Sequence, residues 1–258
     1  MTKRSTLAAP YQIFLVLFVV LPLVLILIYA FMDGNGGFTF SNFATFAGQP
    51  EAIKTFVYSI EVAVITTVLC LLLGYPAAYI MSNSQLNRSS ITVILFILPM
   101  WINMLVRTLA TVALFDFVRI PLGEGALIFG MVYNFLPFMI YPIYNILKKM
   151  DQSYIEAAQD LGASPRQVFF KVIIPLSMPG ISSGVLMVFM PTISTFAIAE
   201  LLTMNNIKLF GTTIQENINN GMWNYGAALA LIMLVIIGIT TVFADSSSNR
   251  EEDAGGPI

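Results

Sequence analysis

The sequence predicts an all-α membrane protein, a bundle of six spanning helices with one ordered polar loop, and three observations predict it. Of the 258 residues, 57% are hydrophobic and only 10% charged, with a mean hydropathy of +0.83, whereas soluble domains carry about 25% charge. Six apolar stretches reach the roughly 20 residues a helix needs to cross a bilayer. The longest polar interruption between them, from Asp151 to Arg166, carries helix start and stop signals that a plain connection does not need.

The spans fall at about 11–32, 56–81, 91–117, 126–147, 178–202 and 225–243, in a single membrane domain over residues 1–244. The first is too long for the apolar part of a signal peptide and has no small-x-small cleavage pattern before Gly34, so it reads as a retained helix. Pro22, Pro76, Pro99, Pro137 and Pro191 lie inside spans. Prolines there are tolerated when neighbouring helices re-satisfy the freed carbonyls, which argues for a packed bundle. The segments Asp33–Thr55 and Thr203–Asn224 read as polar and aromatic outside loops, with turn signals at Gly36-Gly37, Asn205-Asn206 and Asn219-Asn220-Gly221. Residues 245–258 are rich in Ser, Gly and acids and read as a disordered tail.

Orientation follows from Lys and Arg. With the N-terminus in the cytoplasm, Lys3, Arg4, Arg88, Lys148, Lys149, Arg166, Lys171 and Arg250 lie inside, eight in all, against three outside: Lys54, Arg119 and Lys208. Both termini and the loop 148–177 are then cytoplasmic. In that loop Ser153 and Glu156 have capping-box spacing. Gly162 suits a helix end. Ser164, Pro165 and Gln167 signal a second start. The expectation is two short helices joined at a glycine, lying at the membrane surface and shaped for a partner to grip.

These residues resemble a known family. Glu156-Ala157-Ala158, Gly162, then Val172-Ile173-Ile174-Pro175 keep the frame of the EAA loop in permease subunits of bacterial ABC importers, with Val172 and Ile174 as mild departures. Further runs resemble the permeases of spermidine/putrescine importers. They are Leu73-Gly74-Tyr75-Pro76-Ala77, Pro99–Arg107, Leu136–Met139 with Pro142–Tyr144, Ala158–Ser164 and Ile173–Ile181. Likeness extends from about Tyr11 to Ile239; the connection Val118–Gly125 is shorter than the family's. The resemblance implies the type I importer permease fold. It also implies a heterodimer with a second permease, two ATPase subunits that hold ATP and Mg2+, a soluble substrate-binding protein, and residence in the bacterial inner membrane. Glu156, Ala157, Ala158, Asp160, Gly162, Ala163 and Pro175 would form the coupling loop.

Ionisable residues within spans usually face a bundle interior or a wet cavity. Glu61, Arg107, Asp116 and Glu200 are of this kind, three acids against one base, which suits a cationic substrate. Arg107 paired with an acid as a purely structural tie, and Asp116 and Glu200 in wet interface, are the alternatives. Trp101, Tyr133, Phe196, Trp223 and Tyr225 could face a cation or form an interfacial belt. The candidate substrate path is Trp101, Asn103, Arg107, Asp116, Tyr133, Glu200, Trp223 and Tyr225.

Several chemistries are excluded or disfavoured. No histidine exists, which removes a Ser-His-Asp triad. No G-x-x-x-x-G-K-[ST] run is present, so no P-loop holds nucleotide. Single Cys70 allows no internal disulfide and no zinc cluster. Net charge −2 and a pI near 5.1 give no reason to expect nucleic acid as a partner. No catalytic residue, metal or directly bound cofactor is expected. A permease for ferric ion, sulfate or an amino acid, and an ion-coupled secondary transporter, remain alternatives.

Overall fold

A computed structural model describes the backbone of residues 10–83 and 90–254, and the side chains of residues 10–83 and 93–242. Lys3, Arg4 and Arg88, on which the orientation count partly rests, lie outside the described residues, as does the side chain of Arg250. Among the described residues there are helices and no strand, only a single antiparallel bridge between Met32 and Phe38. In chain order the helices are α1 (Pro10–Ala30), α2 (Ser41–Gly48), α3 (Pro50–Ser82), α4 (Ser90–Ile97), α5 (Met104–Val118) and α6 (Glu124–Lys149). Then follow α7 (Gln152–Asp160), α8 (Pro165–Ser194), α9 (Ala197–Thr203), α10 (Phe210–Asn219) and α11 (Trp223–Ala254).

The core is the trio α3, α6 and α8. In a bilayer the lipid is as apolar as leucine, so helices associate through close contact at small residues. Gly74 on α3 and Gly184 on α8 form notches on either side of Met139 of α6, which is fully buried. A Cβ at Gly184 would lie 2.7 Å from the Met139 sulfur and 3.2 Å from its carbonyl oxygen. By contrast α1 packs on α11 through Ala30 against Ala227 and Ala228, and only 6% of its apolar window is buried, against 56% for α6.

Among the described residues five helices are long and apolar enough to span, and α4 with α5 makes a sixth only as a broken pair. The continuous third span expected at 91–117 is corrected here: the chain bends by 102° between Trp101 and Met104. Pro99 lacks an N–H, the α-helix tightens to a 3-10 turn over Leu98–Trp101, and Ile102 turns extended. Asn103 then restarts the helix, its side-chain oxygen accepting from the Leu105 N–H at 2.8 Å.

Other boundaries also shift. The span expected at 178–202 begins thirteen residues earlier, at Pro165, and stops at Ser194 before the separate α9. The segment Thr203–Asn224 is not only loop. Phe210, Ile214 and Ile218 recur at helical spacing and seat α10 against Phe46, Phe56 and the face of α11. The Phe210 N–H donates to Ser59 Oγ at 2.7 Å, tying α10 to α3. The stretch Asp33–Thr55 likewise holds α2 and the start of α3. Its turn is as read: Asp33 Oδ1 accepts from the N–H groups of Asn35 and Gly37, and Gly36 has φ +84°. The tail expected to be disordered is helical to Ala254, because extending a helix already nucleated costs far less than starting one; residues 255–258 lie outside the described residues.

Candidate coupling loop and membrane path

The loop from Asp151 to Ser164 is a short helix closed at both ends. Its N-cap is Asp151, whose carboxylate accepts from the Ser153 N–H at 3.0 Å. The expected Ser153–Glu156 box does not form, because α7 starts two residues earlier and Asp151 takes the Ser153 donor. That backbone N–H holds the Asp151 carboxyl below the usual carboxylate range. At the other end the Ala163 N–H donates to the Ala158 carbonyl at 3.0 Å and the Gly162 N–H to that of Gln159 at 2.8 Å. Gly162 has φ +81°. This is the Schellman closure, and it needs a left-handed residue at Gly162. The second start signal forms as read: Ser164 and Gln167 exchange a reciprocal capping box, with Pro165 in the first turn. It opens the long helix α8 itself, however, and not a second short helix.

α7 has two faces. Ile155 and Ala158 pack inward with Ala163 and Met150. Ala157 and Asp160 point out, and Leu161, at the helix end, is 89% exposed. Glu156 borders a cavity of about 560 Å³ between α7 and the ends of α3 and α8, and its side chain has no hydrogen bond or ion pair among the described residues. From Asp151 to Ala163 the loop has three carboxylates and no cation. Beside it, a Cβ at Gly162 would meet nothing within 4 Å among the described residues. The surface thus offers unpaired acids, the exposed side chains of Tyr154 and Leu161 and a bare backbone turn. Leu161 and Asp151 were missed in the sequence. The spacing Asp151-x-Ser153 was the available signal for the cap, while a lone exposed leucine has none.

At the start of α8 the backbone loosens into a π turn over Phe169–Ile173, the Ile174 N–H reaching back to the Phe169 carbonyl. Pro175 follows with no N–H to continue the α pattern. The proline of the EAA frame therefore sits at a bulge in the helix that leads out of the loop.

The candidate path residues do not converge on one point in the single chain. Trp101 is 88% exposed at the bend of the third span, and Asn103 caps α5. Arg107 is 6% exposed; its Nη1 donates to the Asn134 carbonyl at 3.5 Å and its guanidinium lies 5.9 Å from the Tyr133 ring centroid. No acid pairs with it: the ion pairs among the described residues are Lys54–Glu51 and Lys208–Glu216. The tie between Arg107 and an acid is therefore replaced by one to a carbonyl and a ring. Asp116 is exposed in the last turn of α5, and Glu200 is half-buried in α9. Trp223 is exposed, and the Tyr225 hydroxyl donates to Gln49 Oε1 at 3.0 Å. Glu61 is exposed on α3, a turn beyond Tyr58, which donates to Glu124. Among the described residues no group of three or more metal-ligating side chains gathers.

Comparison with known proteins places this geometry. Residues 1–251 match the family described as binding-protein-dependent transport system inner membrane component. The spermidine/putrescine transport system permease protein PotB of Salmonella typhimurium (strain LT2) is 33% identical over 249 residues, 87% of this chain and 86% of the relative. PotB of Haemophilus influenzae is 34% identical over 255 residues, 87% of each. Among solved structures, a chain of a bacterial ABC transporter involved in the import of the acidic polysaccharide alginate superposes with TM-score 0.70 at 16% identity, covering 95% of this chain and 94% of that one. A chain of the MetNI methionine ABC transporter gives 0.57 at 15% identity, over 80% and 96%. The fold is that of ABC importer permeases, and the chain belongs to the family of binding-protein-dependent transport system inner membrane components.

Proposed function

We propose that the chain is one permease of a polyamine importer, taking spermidine or putrescine across the inner membrane under force from a separate ATPase. The observation that carries the transducing role is the loop of α7: capped at both ends, acidic, with Leu161 and Gly162 presented to solvent. The cargo rests on the 33–34% identity to spermidine/putrescine permeases over 87% of the chain. The fold alone does not set it, since solved relatives of the same architecture import alginate and methionine.

In this reading the chain does no bond chemistry. ATP and Mg2+ bind the ATPase subunits. Their closure draws the coupling loops together and rocks the two permeases between two discrete states. The N- and C-termini and the loop face the cytoplasm, and a soluble binding protein delivers substrate from the other side. A path formed between two permeases leaves its lining exposed in either one alone, which supports Trp101, Asp116 and Trp223 as lining groups. Glu200 and Asp116 would offset the substrate's charge, and Trp101 would meet it by cation–π attraction. Arg107, buried beside the half-exposed Tyr133 ring, would fix the wall behind them. Purifying the tagged chain from membranes tests the assembly: an ATPase and a second permease should come with it, and a chain that transports ions without either would support a secondary transporter instead.

A further inference from the structure

The junction between loop and bundle holds a side-chain clasp that the coupling loop does not by itself account for. Phe169 is the first residue of the π turn in α8, one turn beyond Pro165. Its ring meets those of Tyr75 and Tyr79 on α3 edge-on, at 5.9 and 5.4 Å between centroids and interplanar angles of 84° and 83°. Phe170 backs it at 5.2 Å. Tyr75 and Tyr79 are one helical turn apart and bracket Pro76, which leaves the Leu72 carbonyl without its helical donor and weakens α3 at that level. A second link lies about two turns further along α8, where the hydroxyl of the same Tyr75 and Ser177 Oγ are 3.0 Å apart in a buried setting. Ser177 gives its proton to the Ile174 carbonyl at 2.9 Å, so Tyr75 is the donor to Ser177. Two backbone weak points, the π turn of α8 and the proline of α3, are thus tied to each other by one wedge and one hydrogen bond.

We propose that Phe169 is a positioning residue for transport: wedged between Tyr75 and Tyr79, it carries displacement of the coupling loop from α8 into α3, with the Tyr75–Ser177 bond keeping the two helices in register. The inference rests on the coupling role proposed above. A loop that moved α8 alone would bend it at the π turn and dissipate there. With the wedge in place, the first turns of α8 cannot shift without taking the end of α3 beyond Pro76 with them. Packed elements of this kind switch between discrete arrangements rather than deform gradually.

The test is the ratio of substrate taken up to ATP hydrolysed, in the complete assembly reconstituted in vesicles with labelled spermidine. Phe169→Ala should lower that ratio about tenfold while ATP hydrolysis and recovery of the ATPase stay within about twofold of the parent. Phe169→Tyr, which keeps the ring, should restore it. Tyr75→Phe keeps the ring and removes only the hydrogen bond, and should lower the ratio by about threefold. If Phe169→Ala does not assemble, Tyr75→Phe decides. An unchanged ratio in the variants, or uptake and hydrolysis falling in step, overturns the inference while leaving the coupling reading intact. A parent assembly without ATPase or ATP-driven uptake sinks that reading and this inference together.

Discussion

The proposed coupling loop and the proposed membrane path are built differently. The loop is complete within one chain. Asp151, Gly162 and Ser164 close the loop by hydrogen bonds from backbone N–H groups to side-chain and carbonyl oxygens a few residues away, and α8 leads from the loop into the core beside Met139. The proposed path is incomplete. Its acids and aromatics are scattered along α5, α9 and α11 and around the bend before α5, and only Arg107 and Tyr133 meet. In the proposed reading, the part of the task that receives force is written locally, whereas the part that selects cargo would be written across an interface with a second permease.

The largest effect that sharpens this contrast is expected at Leu161. Leu161→Asp places a fourth carboxylate where the loop offers its most exposed apolar side chain, and should reduce recovery of the ATPase and ATP-driven uptake by about tenfold or more. Leu161→Met should be near normal, and equal recovery with Asp would mean that another surface carries the docking. At the path end, Glu200→Gln with Asp116→Asn should cut spermidine uptake by about tenfold yet leave ATPase recovery unaltered. Unchanged uptake would remove the acidic path and break the comparison at that end.

Gly184→Val probes the core that joins the two ends. The added side chain would press on Met139 from 2.7 Å, costing about 1–3 kcal/mol of packing, read as a lower thermal midpoint of the purified assembly. The smallest effect is at Asp151. Asp151→Ala should slow uptake by about twofold through fraying of α7, with Asp151→Asn near normal. The cap's stabilisation is present above the ordinary aspartate range, near pH 3.9, and is lost only as pH falls through the lowered folded value. Uptake measured between about pH 6 and 8 should therefore show no step from this group.

How much was legible follows the same line. The Schellman end at Gly162, the capping box at Ser164 and the Asp33 turn depend on neighbours within five residues, so the sequence carries them in full. The Ser153 box was misplaced because Asp151, two residues earlier, competes for the same N–H, and a spacing rule does not rank two caps. The bend between Trp101 and Met104 was half visible: Pro99 and Asn103 are both breakers, but an apolar run long enough to span hides a kink. Helix α10 was taken for loop because its apolar residues form a stripe and not a run, and what seats them, Phe46 and Phe56, lies over 150 residues away in the chain. The burial of Arg107 against Tyr133 and the wedge at Phe169 have no sequence signal, since both depend on which helix faces which.

In the proposed reading, force enters this chain through the turn at Gly162. This is tested most directly by uptake and ATP hydrolysis measured together in the reconstituted assembly, for the parent and Gly162→Asp. Aspartate tolerates the left-handed backbone at a cost of about 1 kcal/mol, and no described residue lies within 4 Å of the added Cβ, so insertion and folding should persist. The account predicts ATP-driven uptake in the parent and none in the variant, with both recovered equally from the membrane. Normal uptake by Gly162→Asp, or uptake by the parent without ATP, would contradict it.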